Sequence, residues 1–171
     1  SSDLATIAIA EHHGPVYLRF GRPSWPIVIP ESMPFVIGKG ILMQEGTDVT
    51  IIATGHLVAY AMEAVQKLKE QGISAELINI HTIKPLDEEI ILDSVSKTRC
   101  VVTAEEHQRN GGLGDSVAQL LARKNPTHQE YVAVNDSFGE SGTPEQLLLK
   151  YGLGPDDVIA AVKEVMKRKG L

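Results

Sequence analysis

Apolar and polar residues follow two different patterns from about residue 47 onward. Short continuous apolar runs predict strands buried on both faces, and apolar residues spaced three or four apart predict amphipathic helices. Strands that alternate with helices in this way form βαβ units. We therefore predict an α/β fold of three layers, with a mostly parallel sheet between helices. The predicted strands are 49–53, 75–80, 100–104 and 131–134, and the predicted helices begin near residues 58, 87, 114, 144 and 155.

Capping residues support the ends of the predicted helices. Gly72 stops the first helix of this region, and Asp87 stands at the N-cap of the second, before two glutamates. Residues 143–146 (TPEQ) have the sequence of a capping box with proline at the first helical position. The last predicted helix, 155–169, begins with acidic residues and ends with basic ones, which matches the helix dipole.

The first 22 residues have a different organisation. Apolar spacing predicts a short helix over 3–13, and the bulky residues of 16–20 predict a strand. One helix and one strand cannot bury their apolar faces or satisfy the strand's backbone, because a sheet needs further strands. We therefore predict that residues 1–22 are the tail of an upstream domain, and that the chain is a piece of a longer polypeptide.

Prolines mark the segment that follows. Four of the nine prolines lie within residues 23–34, and each fixes φ and removes a backbone donor. The apolar side chains among them favour a segment that lies along a surface. We therefore predict an interdomain linker over 23–46 and one domain over 47–171.

Composition excludes several classes of function. The chain has 171 residues, with 16 Lys or Arg against 22 Asp or Glu, and its net charge of −6 disfavours nucleic-acid binding. No apolar run approaches the roughly 18–20 residues of a membrane span. The chain has one cysteine and neither a basic start nor a long apolar segment at its beginning, so we expect no disulfide, no signal peptide and a cytoplasmic location.

Glycine-rich turns are the first candidates for ligand binding in an α/β fold. Three Gly-x-Gly sequences, 38–40, 112–114 and 152–154, lack the third glycine of the dinucleotide fingerprint, and no phosphate loop is present. The turn 111–114 links a predicted strand to a helix and could present N–H groups to an anion. Asp115 would repel that anion. A tight turn that lets the chain pack closely is the alternative.

Titratable residues follow the predicted strand 100–104. Ligands of parallel sheets bind outside the carboxyl ends of the strands, which makes Glu105, Glu106 and His107 candidates. Loop-anchoring or solvated roles are the alternative. The six histidines have no metal-ligand spacing, so we expect no metal site. Two further residues follow strand 75–80, and we expect mainly structural roles for both: His81 and Lys84.

No nucleophilic constellation is present in the sequence. Cys100 begins an apolar strand and is expected to be a buried small hydrophobe, and no Gly-x-Ser-x-Gly elbow occurs. Arg19 and Arg22 flank the end of strand 16–20. An arginine just beyond a strand, held by a following proline, can bind a phosphate with two hydrogen bonds, although a surface salt bridge is equally consistent with the spacing.

At these same residues the sequence resembles the C-terminal region of transketolases. The end of that family's pyrimidine-binding domain resembles residues 14–23 (GPVYLRFGRP). Each motif alone is weakly specific, but together they cover essentially the whole chain in the right order. The family's third domain resembles 48–55 (DVTIIATG), 80–87 (IHTIKPLD), 103–114 (TAEEHQRNGGLG) and 141–148 (SGTPEQLL).

The resemblance implies an enzyme of carbohydrate metabolism, as in the pentose phosphate pathway. It would transfer a two-carbon ketol unit from a ketose phosphate to an aldose phosphate, using thiamine diphosphate and a divalent metal such as Mg²⁺. The family's activating glutamate and its diphosphate- and metal-binding motif lie upstream, so the resemblance assigns this chain no catalytic, cofactor-binding or metal-binding residue. It assigns Arg22 to the substrate phosphate, and it moves Glu105, Glu106 and His107 toward structural roles.

The resemblance is strongest to transketolases that are split over two polypeptides. It implies that the chain is noncatalytic alone, that it supports dimer assembly, and that it works in a homodimer or in a heterotetramer with an N-terminal subunit that binds the cofactor. Deoxyxylulose-phosphate synthase shares this domain. Two alternatives remain open: a stand-alone anion-binding or assembly module, and the beta subunit of a 2-oxo acid dehydrogenase with a lipoyl-domain partner.

Overall fold

A five-stranded sheet forms the centre of the molecule. The computed structural model describes residues 2–21, 25–30 and 33–170. The strand order is β1-β3-β2-β4-β5, in which only β1 runs antiparallel to its neighbour. The strands are β1 (Ile41–Gln44), β2 (Val49–Ala53), β3 (Ala75–Asn79), β4 (Cys100–Gln108) and β5 (His128–Val134).

Helices cover both faces of the sheet, which confirms the predicted three-layer α/β fold. One pair, α2 and α6, packs together on one face, and α3 and α4 pack on the other. None of the helices in the described ranges is long and apolar enough to cross a membrane. The helices are α1 (Ser2–Ala10), α2 (Leu57–Glu70), α3 (Glu88–Thr98), α4 (Leu113–Lys124), α5 (Pro144–Lys150) and α6 (Pro155–Lys169).

The central strand β2 explains why its sequence is continuously apolar. Ile51 packs into the core beneath α2 and α6, and its neighbour Ile52 packs into the core beneath α3 and α4. Side chains on a strand alternate between faces, so a strand covered on both sides needs apolar residues at every position. The exception is Thr50, whose hydroxyl lies 2.6 Å from the hydroxyls of both Ser94 and Thr98 on α3.

A buried carboxylate on β3 is held by a cation. Burial alone would raise the pKa of Glu76, but hydrogen bonds from Lys97, Ser94 and the Gly46 N–H hold it below its ordinary value of 4.5. Lys97 extends from the last turn of α3 to reach it. The charged form of Glu76 is therefore the form that the fold stabilises.

The predicted capping residues have two different outcomes. The α5 capping box is confirmed: Thr143 Oγ1 accepts from the Gln146 N–H, and the Gln146 side chain accepts from the Thr143 N–H. Asp87 stands at the N-cap of α3 as predicted, but its side chain makes no cap hydrogen bond. It accepts instead from the Gly40 N–H at 2.8 Å and lies 3.5 Å from the Lys39 ammonium. Asp87 thereby fixes the chain as it enters β1.

The N-terminal third differs from the sequence expectation in two ways. The predicted strand 16–20 is wrong: it belongs to no sheet among the described residues, and Tyr17 and Phe20 are 88% and 67% exposed. An extended segment without neighbouring strands has no ladder to join. The predicted linker, 23–46, contains β1, which pairs with β3. The four residues of β1 are too few to show the alternation of apolar and polar side chains that would identify a strand from the sequence.

Candidate functional site

The carboxyl edge of the sheet is where the sequence places most candidate residues. β4 runs through Gln108, so Glu105, Glu106 and His107 lie within the strand, and the expectation that they follow its end is wrong. The ladder to β2 stops at Ala104, after which β4 continues past its neighbour. The two glutamates are therefore adjacent positions on a projecting strand end, and adjacent strand positions face opposite ways.

Glu105 faces inward and fills the glycine turn that precedes α4. Its carboxylate is buried and accepts hydrogen bonds from the Leu113 and Gly114 N–H groups, both at 2.8 Å. A Cβ on Gly112 would overlap this carboxylate, so the turn requires glycine for close approach. The turn binds a carboxylate of its own chain at the positive end of α4.

The rest of the turn offers little to an external anion. The Gly111 N–H donates to Asp115 Oδ2 at 2.6 Å. An open polar cleft lies beside it, where the Arg109 guanidinium stands 5.2 Å from the centre of the Tyr131 ring. Burial, followed by the nearby Asp115 carboxylate, raises the pKa of Tyr131. Because Asp115 and Asp136 both line the cleft with only one arginine, its charge disfavours a phosphate.

Glu106 faces the opposite way and binds His56. The Glu106 carboxylate lies 2.8 Å from His56 Nδ1. His56 is the N-cap residue of α2 and directly precedes that helix at the carboxyl end of β2. The imidazole is largely buried, with 17% of its side chain exposed, whereas the Glu106 side chain is 39% exposed.

Residues near the predicted strand 16–20 assemble around this pair. Arg19 donates from Nη1 to the Glu106 carbonyl oxygen at 3.3 Å. Trp25 stacks on the His56 ring, with centroids 4.5 Å apart, and its Nε1 donates to the His56 carbonyl oxygen at 3.2 Å. A Cβ on Gly21 would overlap the His56 imidazole. We call these five residues the His56 cluster: Arg19, Gly21, Trp25, His56 and Glu106.

The remaining candidates have structural surroundings. His107 is half-exposed, and its Nδ1 lies 2.6 Å from the Gln108 carbonyl oxygen. His81 stacks on Phe35 at 4.2 Å, and burial lowers its pKa, which favours the neutral ring. Lys84 is exposed. Cys100 is buried as expected, and burial raises the pKa of its thiol.

Arg22 lies outside the described residues, between Gly21 and Trp25 of the His56 cluster. In the described ranges, no three His, Cys, Asp or Glu side chains come together in a way that could hold a metal ion. The residues present at this edge therefore do not fit the metal–diphosphate group that the resemblance implies.

Sequence reasoning missed His56, Gly21 and Trp25. His56 follows the end of a predicted parallel strand, as Glu105 does, so the carboxyl-edge rule could have identified it. Trp25 gave no signal because it lies among prolines and apolar residues that already suggested a surface segment. Nothing in the sequence distinguishes a glycine that permits close approach from one that shapes a turn.

Comparison with known proteins identifies what this arrangement resembles. Residues 38–158 match the family described as "Transketolase, C-terminal domain". The 6-deoxy-6-sulfo-D-fructose transketolase subunit SqwH of Clostridium sp. (strain MSTE9) is 45% identical over 161 residues, which cover 94% of this chain and 50% of that protein. The putative transketolase C-terminal section of Methanocaldococcus jannaschii is 43% identical over 164 residues, 94% of this chain and 51% of that protein.

A solved structure agrees with these relatives. The protein described as "Split gene transketolase, inactive beta4 tetramer" superimposes with a TM-score of 0.91 at 45% identity, over 96% of this chain and 55% of that one. The chain thus spans about half the length of the relatives it matches. The resemblance stated from the motifs is confirmed over nearly the whole chain.

Proposed function

The chain belongs to the transketolase C-terminal domain family, and from that premise we propose that it forms the C-terminal part of a split transketolase. The observation that carries the proposal is the match over 94% of this chain to a transketolase subunit of which it covers half. In the complete enzyme, a two-carbon ketol unit passes from a ketose phosphate to an aldose phosphate. Thiamine diphosphate and Mg²⁺, which supply that chemistry, are held by a partner subunit.

The proposed role of this chain is noncatalytic and structural. Its buried carboxylates are bound by its own N–H groups or by lysine, as Glu105 and Glu76 show. The similar solved structure is itself described as inactive. These observations support a domain that completes and stabilises an assembly of two or four subunits.

We assign Arg22 to the substrate phosphate. The support is its place in the motif RFGRP together with the described neighbour Gly21, which lies at the carboxyl edge of the sheet against His56. A guanidinium binds phosphate with two parallel hydrogen bonds. In the complete enzyme, Arg22→Ala should raise the KM for phosphorylated substrates and leave cofactor binding unchanged. An unchanged KM would remove Arg22 from the site.

The test of the function is reconstitution. The chain is fused to the remaining half of the 45% identical relative and mixed with a candidate subunit that binds thiamine diphosphate. We expect ketol transfer between sugar phosphates that depends on thiamine diphosphate and Mg²⁺, and none from the isolated chain. An assembled complex that is inert on ketose phosphates would reject the proposal, and turnover of a 2-oxo acid would favour the dehydrogenase alternative.

A further inference from the structure

The open polar cleft beside the turn 111–114 has no part in the proposed function. Its volume is about 530 Å³, and pockets that hold small molecules measure about 300–1,000 Å³. It lies where β4 and β5 end, at the edge of the sheet where parallel α/β folds bind their ligands. We call it the Arg109 cleft, and it is lined by Arg109, Asn110, Asp115, Tyr131, Asn135 and Asp136.

The donors of the Arg109 cleft are not used by the fold. Among the described residues, the Arg109 guanidinium makes no hydrogen bond and no ion pair, and it is held by its contact with the Tyr131 ring. Burial raises the pKa of Tyr131, so its hydroxyl stays protonated at neutral pH and can donate. The amide groups of Asn110 and Asn135 are exposed and have no hydrogen-bond partner in the described ranges.

The acceptors of the cleft are only half used. One carboxylate oxygen of Asp115 accepts from the Gly111 N–H, and one oxygen of Asp136 accepts from Gln108 Nε2 at 3.1 Å. The second oxygen of each carboxylate has no partner in the part of the chain that the structure describes. Free donors and free acceptors therefore line the same cleft.

Backbone hydrogen bonds hold two sides of the cleft in fixed positions. Gln108 Oε1 accepts from the Arg109 N–H at 2.7 Å and from the Asp136 N–H at 3.1 Å. The Val134 carbonyl oxygen accepts from the same two N–H groups, at 2.9 and 3.1 Å. These bonds keep Asp136 in a left-handed conformation, with φ of 39°. A site that is already ordered loses less conformational entropy when a ligand binds.

The charges and hydrogen-bonding groups of the cleft select the chemistry of its ligand. One guanidinium and two carboxylates give the cleft a net negative charge, which repels a phosphate. An apolar molecule would remove water from these polar groups without replacing its hydrogen bonds. A hydroxyl both donates and accepts, so neighbouring hydroxyls can bind carboxylates and a guanidinium together. Hydrogen bonds to charged groups are also stronger than those between neutral groups.

We propose that the Arg109 cleft binds an uncharged polyhydroxylated molecule of monosaccharide size. The site is separate from the His56 cluster, because Glu105 and Glu106 face opposite sides of β4 and the cleft lies beside the turn that Glu105 fills. The proposal does not depend on ketol transfer. Its tests use the present chain and need no turnover.

The binding test is a nuclear magnetic resonance titration of the ¹⁵N-labelled chain with D-glucose, D-fructose and D-xylose. At least one sugar should shift the Arg109 Nε–H and the Asn110 and Asn135 amide signals to saturation, with a dissociation constant of about 1–10 mM. Glucose 6-phosphate should bind about tenfold more weakly than glucose, because its charge is repelled. No saturable shift of these signals with any of the three sugars would overturn the proposal. So would glucose 6-phosphate that binds as tightly as glucose.

A pair of arginine variants tests the main donor. Arg109→Met keeps most of the side chain but removes the guanidinium, and it should weaken sugar binding at least about tenfold. Arg123→Met is the matched control, since Arg123 is exposed in the last turn of α4 and lies outside the cleft. Circular dichroism checks that both variants are folded. Equal affinities of the two variants for the sugar would reject the proposal.

Asp136→Asn tests the selection against phosphate. Asparagine retains an acceptor for Gln108 and tolerates the left-handed backbone, so the cleft should keep its shape. Removing one negative charge should tighten the binding of glucose 6-phosphate about three- to tenfold, while glucose binds no more tightly than before. Unchanged discrimination between the two ligands would show that the carboxylate does not select the ligand, and would overturn the assigned chemistry.

A zwitterion is the competing ligand, because an amino acid can pair with both a guanidinium and a carboxylate. Glycine is therefore titrated under the same conditions as the sugars. It should give no saturable shift in the concentration range at which the sugars bind. Tighter binding of glycine than of all three sugars would replace the proposed ligand class and reject the inference.

Discussion

Glu105 and Glu106 are neighbours in sequence, yet they bind opposite parts of the molecule. Glu105 is buried and accepts two backbone hydrogen bonds from the turn that begins α4. Glu106 is partly exposed and orients His56 toward the segment that contains Gly21 and Trp25. The alternation of side chains along β4 assigns one carboxylate to the interior and the other to the surface.

The difference teaches that proximity to a carboxyl edge does not define a role. Both glutamates meet the rule that points to ligand sites in parallel sheets. The Glu105 carboxylate accepts its hydrogen bonds from the backbone of the fold itself. The Glu106 carboxylate instead binds His56, which contacts the N-terminal segment outside the sheet. Substitutions at the two positions should therefore separate stability from segment attachment.

Glu105→Ala should have the largest effect. It leaves the N–H groups of Leu113 and Gly114 buried without acceptors, and each such loss costs about 1–3 kcal/mol. We expect the free energy of unfolding to fall by about 3–4 kcal/mol in urea titrations followed by circular dichroism. Glu105→Gln, which retains one acceptor oxygen, should lose less. A loss below about 1 kcal/mol for the alanine variant would contradict the assigned role.

Gly114→Ala should have the next largest effect. A Cβ there would overlap the Tyr131 ring and lie 2.9 Å from Thr103 Oγ1, so α4 must shift away from β4 and β5. The expected loss is about 2 kcal/mol in the free energy of unfolding. Gly139→Ala is the control, because a Cβ at Gly139 meets nothing within 4 Å and the change should stay within about 0.5 kcal/mol. Similar losses for the two variants would contradict the conclusion that Gly114 is needed for the close packing of α4 on the sheet.

A third carboxylate, that of Glu76, differs from both because it is bound by the Lys97 ammonium. Its pKa is lowered in the folded chain, so its contribution to stability is present above its ordinary value of 4.5 and is lost as the pH falls below it. Lys97→Met should cost about 1–2 kcal/mol in the free energy of unfolding at pH 7, which is less than for a fully buried pair because the Lys97 side chain is half-exposed. The cost should shrink near pH 3 in the same titration. A cost independent of pH would mean that Lys97 acts through packing alone.

Glu106→Gln should have the smallest effect on stability, within about 0.5 kcal/mol, because the position is partly exposed and an amide oxygen still accepts from His56. Glu106→Ala should be equally mild in urea, but it should shift the Trp25 emission, since the imidazole loses its orienting partner. A large loss of unfolding free energy in either variant would show that Glu106 stabilises the fold as Glu105 does.

The sheet domain was predictable because its signals are local. The apolar run of β2 and the capping box of α5 follow from residues close together in the sequence, and the structure confirms both. The strand expected over 16–20 does not form in this chain, because a short apolar run supplies no neighbouring strand with which to form a ladder. Asp87 was predicted to cap α3 with its side chain. Its carboxylate accepts a hydrogen bond from the Gly40 N–H instead, and this residue is too distant in the sequence for a local pattern to indicate.

The candidate site was predictable only in part. The sequence identified the carboxyl edge of the sheet and its glutamates. The different contacts of Glu105 and Glu106 depend on how far β4 extends beyond the end of β2, which the sequence does not indicate. His56 and Trp25 are separated by 31 positions along the chain, so no spacing rule connects them. Their association is a product of tertiary packing between a proline-rich segment and a helix start.

The antiparallel strand β1 has a consequence for dissecting this protein. Because β1 covers the side of β3 that faces away from β2, a fragment beginning at residue 47 would expose the backbone of β3 as an open edge. Open edges recruit strands from other chains, so such a fragment should self-associate. A fragment beginning at residue 37 retains Lys39 and Gly40, the points where Asp87 anchors the strand, and should remain dispersed.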